Sequence, residues 1–211
     1  MGRLLLLSLV ALSGAAQGAT VVLDQDTSGV GSNSSGYAVL KIHSMVQTFT
    51  VGESGTLDTV SIQVRKEQNT YEDLVLSIWT AGPDGLRQDL LGTYSKSAAD
   101  IDGFYSSYFE DFDVSAMNIT VSEGDVLAVA LDSAAVQSFV APGERYFWGK
   151  SYDANAYVDG EAYGCSVLDA QSCLQQDWDF SLRTYVQVVP IPAAVWLFGS
   201  ALAVLGFVRR R

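Results

Sequence analysis

The side chains able to do chemistry are few in kind and uneven in number. The chain of 211 residues carries one histidine, His43, two cysteines, Cys165 and Cys173, and 24 aspartates and glutamates. A single histidine cannot build a multi-histidine metal centre, and His43 reads as an ordinary strand residue. No G-x-S-x-G, H-E-x-x-H, P-loop or C-x-x-C spacing occurs, so the local signatures of hydrolases, zinc peptidases, nucleotide enzymes and redox enzymes are missing. Gly29, Val30 and Gly31 fail as a dinucleotide fingerprint because Ser34 stands where the third glycine belongs.

Carboxylates are the abundant reactive group. A glycosidase needs two of them facing each other across the sugar bond. Asp177 with Asp179, predicted to share one strand face, and Glu110 with Asp111 and Asp113 are the nearest such sets. In so acidic a chain such sets arise by chance, and a solvated face explains them better than catalysis. Hard cations also take oxygen ligands, and Asp24, Gln25, Asp26, Thr27, Ser28 and Gly29 open like a calcium loop. Ser35 occupies the twelfth position, where that loop wants glutamate, so a structural calcium site would need another geometry and no cofactor is expected.

The best ligand candidates are aromatic. Tyr146, Phe147, Trp148, Tyr152, Tyr157, Tyr163 and Trp178 fall in a window rich in Gly, Asp and Asn. Rings of this kind stack on the apolar faces of sugars while neighbouring polar groups fix orientation. Tyr146, Trp148, Tyr152 and Trp178 form the candidate stacking set, against the alternative that alternate aromatics such as Tyr146 and Trp148 fill a core.

Charge narrows the partners. All 24 acidic residues lie between Asp24 and Asp179, whereas four of the 12 Lys and Arg sit at Arg3 and Arg209 to Arg211. The body therefore holds 8 cations against 24 anions, a formal charge of −16. Nucleic acid, bound by neutralising phosphates, is excluded as a partner.

These groups must be positioned by strands. Short apolar runs of period two alternate with turn residues from Thr20 to Val188, and no long amphipathic helix interrupts them. In Leu57 to Lys66, Val60, Ile62 and Val64 face a core while Ser61, Gln63 and Arg65 face water. Leu74 to Ala81 sets Leu74, Leu76 and Ile78 against Val75, Ser77 and Trp79, and Asp125 to Asp132 places Leu127, Val129 and Leu131 inward. Further strands are predicted at Tyr37 to Ile42, Val46 to Val51, Tyr108 to Val114 and Phe180 to Val189. Gly52 to Gly55, Gly82 to Gly85, Ser122 to Asp125, and Asp159 with Gly160 supply turns. Eight or more strands in about 170 residues predict an all-β fold of two packed sheets, a β-sandwich or jelly roll.

Both ends read as addresses. Residues 1–19, MGRLLLLSLVALSGAAQGA, have a basic start, an apolar run and small residues at Ala15, Ala16, Gly18 and Ala19, the pattern of a cleaved secretory signal peptide. In an exported chain the even pair Cys165 and Cys173 is predicted to close a disulfide contributing about 2 to 3 kcal/mol and pinning Tyr163 to Asp177 on the final strand. At the other end Ala193 to Val208 is uncharged and is followed by Arg209, Arg210 and Arg211. As a helix this run spans about 24 Å, a short membrane crossing. Pro190 and Pro192 cannot continue a helix upstream. The arginines prefer the cytoplasm, so the body, residues 20–188, is expected outside.

The segment VPIPAAVWLFGSALAVLGFVRRR, residues 189–211, resembles the PEP-CTERM class of C-terminal sorting signals, and most closely its VPLPA variant. The matching motif is Val189, Pro190, Ile191, Pro192 and Ala193, with Ile191 in place of the usual Leu, then Trp196 to Ser200 and the arginines. The resemblance covers about a tenth of the chain. It implies an exported bacterial protein, anchored in the inner membrane by its C-terminal helix and processed near the motif by an exosortase. Release to the cell surface or extracellular polysaccharide would follow. The body also resembles the jelly-roll domains that precede such signals, through Gln47 to Phe49, Gly55 to Val64, Gly124 with Asp125, Tyr146, Trp148 and Asp179 to Tyr185. The expectation is a non-enzymatic surface or matrix protein. A carbohydrate-binding module and a small glycosidase are the alternatives.

Overall fold

The computed structural model describes residues 18–27, 36–39, 43–82, 87–101, 109–133, 145–150, 157–166 and 173–189. Residues 1–17 of the signal segment and the tail beyond Val189 lie outside the described residues, so the membrane helix is not placed and of the sorting motif only Val189, which is exposed, is described. The body, residues 21–188, forms one compact unit.

In chain order the strands are β1 Thr20–Asp26, β2 Gly36–Val39, β3 His43–Thr50, β4 Gly55–Lys66, β5 Leu74–Ala81, β6 Arg87–Lys96 and β7 Phe109–Asp113. They continue as β8 Thr120–Val121, β9 Val126–Ser133, β10 Tyr146–Gly149, β11 Ala162–Ser166, β12 Cys173–Gln175 and β13 Leu182–Val188. The first sheet runs β1-β13-β4-β10-β2, with β7 and β8 also paired to β4; the second runs β12-β11-β3-β9-β5-β6. Both sheets are antiparallel, and the all-β expectation holds.

One core joins them. Val60, Ile62 and Val64 of β4, Phe112 of β7, Tyr146 and Trp148 of β10 and Leu182 of β13 pack with residues of the second sheet. Their partners include Phe49 of β3, Leu76 and Ile78 of β5, and Val129 and Leu131 of β9. These are the inward positions that the period-two pattern selects. At one margin Tyr94 of β6 meets Phe112 edge-on, ring centroids 5.7 Å apart, and Met117 packs against Gly92.

The turn at Ser122 to Asp125 forms as its residues require. Gly124 adopts φ +90°, a left-handed conformation that glycine enters without steric strain. The Ser122 amide donates to Asp125 Oδ2 at 2.8 Å, and the Gly124 amide to the Val51 carbonyl at 2.8 Å.

Three expectations change. The wet face of β4 is not wet throughout: Ser61 is 1% exposed, because β4 is flanked by β13 and β7 and the Ser61 hydroxyl donates to Asp111 Oδ1. A strand stands at Arg87–Lys96 where none is expected; pairing shifts between Ile78 and Trp79, which leaves Leu91 extra and breaks the alternation. The acidic opening at Asp24 is strand β1, paired to β13, and not a loop.

Candidate functional site

The stacking set divides on burial. Tyr146 and Trp148 are 0% exposed and present no ring face to a ligand, which corrects their place in that set. Strand β10 turns both inward, where Trp148 stacks on Phe180 at 4.6 Å and donates from Nε1 to the Ser181 carbonyl at 2.9 Å. The Tyr146 hydroxyl donates to the Glu72 carbonyl at 2.6 Å, and burial raises its pKa. Tyr152 lies outside the described residues. Trp178 stays half-buried, with its ring 5.9 Å from Tyr37 and 3.6 Å from Lys150 Nζ.

The carboxylate sets do not face one another. Asp177 is exposed, whereas Asp179 is 3% exposed, so the two do not share a face. Asp179 accepts from Gln47 Nε2 at 3.1 Å and from the Tyr157 amide at 3.0 Å; desolvation raises its pKa against these hydrogen bonds. The Gln47 side chain also accepts from the Phe180 amide at 2.7 Å, so this buried pair ties β3 to the lead-in of β13. Glu110 is bound to Lys96 at 2.7 Å, and Asp113 accepts from the Ser115 amide and hydroxyl, which lowers its pKa. Asp179, Glu110, Asp111 and Asp113 each have a structural partner, and Asp179 is buried rather than part of a solvated face.

The calcium-like opening is likewise engaged. Asp24 Oδ1 accepts the Gly52 and Glu53 amides at 2.8 and 2.7 Å, and its Oδ2 accepts from Thr184 at 3.1 Å. Gln25 accepts from the Tyr157 hydroxyl, and Asp26 pairs with Arg183 at 3.1 Å. Ser28, Gly29 and Ser35 lie outside the described residues, among which no group of three His, Cys, Asp or Glu converges on a cation.

Cys165 and Cys173 form the expected disulfide, directly opposite one another on β11 and β12 with Cα atoms 4.0 Å apart. It fastens β12 to β11, and β11 pairs with β3. The segment is therefore pinned on the second sheet rather than on the final strand, because β13 belongs to the first. His43 begins β3, its backbone opposite Ser166.

One constellation escaped the sequence reading. On the outer face of the second sheet, Arg87 donates from Nη1 to Ser44 Oγ at 3.1 Å, its guanidinium lying 5.3 Å from the Trp79 ring centroid. Trp79 Nε1 donates to Ser77 Oγ at 2.9 Å. Asp132 sits nearby with a pKa raised by desolvation, opposed by a Ser44 hydrogen bond and the charge of Arg87. Burial lowers the pKa of Arg87, and Asp132 opposes that shift. A tryptophan at an outward strand position was the available signal; Arg87 had none, since its strand was not foreseen.

No protein-family model matches the chain, and no curated protein is significantly similar to it. Among the described residues no helix is long and apolar enough to cross a membrane.

Proposed function

We propose that this chain is an exported, non-enzymatic bacterial surface or extracellular-matrix protein, delivered through an exosortase-type C-terminal signal. The observation that carries this reading is the three-part end of the sequence: Val189 to Ala193, the uncharged run to Val208 and Arg209 to Arg211. The N-terminal segment supports it, since both ends specify the same topology. The disulfide is in keeping with an oxidising compartment. The engaged carboxylates favour a structural or binding body over a small glycosidase, and the body is read as a jelly-roll-like sandwich.

The test is the intact mass of the protein from its native host, comparing cell-associated and released fractions. Loss of both ends, with a new C-terminus between Pro190 and Ala193, supports sorting. Retention of Arg211 in every fraction overturns it and leaves a membrane-anchored extracytoplasmic domain.

A further inference from the structure

The outer face of the second sheet is curved. Arg87 leaves β6 opposite Ala81, while Asp132 on β9 lies opposite Val75, six residues away along β5. The Arg87 side chain nevertheless reaches Ser44 on β3, beyond both β5 and β9. A flat sheet would put these corners out of reach of one side chain; twist lifts diagonal corners toward each other and makes the face concave along that line. The floor is built of small residues, Val46, Ser77, Ala128 and Ala130, with Trp79 packed against this cluster.

This hollow holds an unanswered acceptor. Asp132 Oδ1 is buried and, among the described residues, has no hydrogen-bond partner. Such an atom has lost water without a replacement, and a ligand that displaced the Arg87 side chain lying over Trp79 would bring the missing donor to it. The charges around it define that donor. A metal cation would meet Arg87, and an anion would meet Asp132, so a neutral donor fits both. A sugar hydroxyl donates to a carboxylate, accepts from a guanidinium, and is carried on a ring whose C–H face packs on tryptophan.

We propose that this hollow binds a neutral saccharide chain, with Trp79 as stacking ring and Asp132 and Arg87 as paired acceptor and donor. The proposal deepens the matrix reading and rests on it only for where the saccharide is met.

The test is titration calorimetry of the full chain in detergent with cellohexaose, xylohexaose, mannohexaose and chitohexaose. At least one hexaose is expected to bind more tightly than about 1 mM. Trp79→Ala, Arg87→Ala and Asp132→Ala should each weaken it about 10-fold or more, and Tyr71→Ala, at an exposed ring elsewhere, should not. Trp79→Phe, which keeps a ring, should retain part of the affinity and serves if an alanine variant does not fold. Absence of binding by every hexaose overturns the proposal, as does binding indifferent to all three residues. Failure of sorting is read separately, from the native mass, and leaves this result untouched.

Discussion

Removing the Cys165–Cys173 cross-link tests how this body holds its outermost strand. The bond closes a loop with a sequence separation of 8. In the chain-entropy account a loop of about nine residues restricts the unfolded chain by roughly 8.7 cal/mol/K, or about 2.6 kcal/mol at room temperature. Cys165 is also 1% exposed, packed with Val46, Ala128, Ala130 and Tyr163, so losing its sulfur adds up to about 1 kcal/mol. The Cys165→Ala/Cys173→Ala protein should therefore be less stable by about 3 kcal/mol. For a body spanning residues 21–188 the unfolding entropy is about 0.35 kcal/mol/K, which converts this loss to a Tm lowered by roughly 7 to 10 °C. Calorimetry of the oxidised, reduced and doubly substituted proteins reads the shift. Amide exchange at Leu174 and Gln175, which pair only with β11 in the second sheet, should accelerate first. A double variant melting within about 2 °C of the parent would refute the reasoning, because the cross-link would then constrain neither state.

Other perturbations separate structural from binding roles. Trp148→Ala should lose about 3 to 5 kcal/mol in guanidinium unfolding, since the ring is 0% exposed and stacked on Phe180; a loss below about 1 kcal/mol would return it to the surface. Gly160→Ala should cost about 1 to 3 kcal/mol by the same measurement, because a Cβ there would lie 2.0 Å from the Thr48 carbonyl oxygen; a neutral result would disprove that close approach. Asp132→Asn should gain stability relative to the parent as pH rises. The half-buried Asp132 carboxyl has its pKa raised by desolvation, against the opposing Ser44 hydrogen bond and Arg87 charge, so folding favours its neutral form. Its stabilising effect is complete below the ordinary value of 3.8 and is lost as pH climbs through the raised one. A Tm difference between the two proteins that stays flat with pH would sink this assignment.

Much of the fold was legible. Strand β5 stands where Leu74 to Ala81 alternates, and β4, β7, β9 and β13 match their expected runs within two residues at each end. These runs are long enough for period two to show. Strand β6 was hidden by its bulge at Leu91, and β1 by acidic residues that read as a loop. The candidate site was legible in kind but not in place. Aromatic residues are recognisable as ligand material, and alternation puts Trp79 on the outward phase of β5, but the four-residue β10 is too short to fix its inward phase, so Tyr146 and Trp148 enter the stacking set although the core takes them.

By itself the sequence determined the composition of the strands, the turns between them, the acidic body, the cysteine pair and the character of the two ends, because each is a local property of neighbouring residues. Tertiary structure decided the rest. Whether Asp179 meets water depends on Gln47, 132 residues earlier, and whether Arg87 meets Ser44 depends on the order and curvature of four strands. The hairpin of Cys165 and Cys173 joins β3 rather than β13 for the same reason. Strand partners are chosen by burial across the whole sandwich, and no spacing within one strand records that choice.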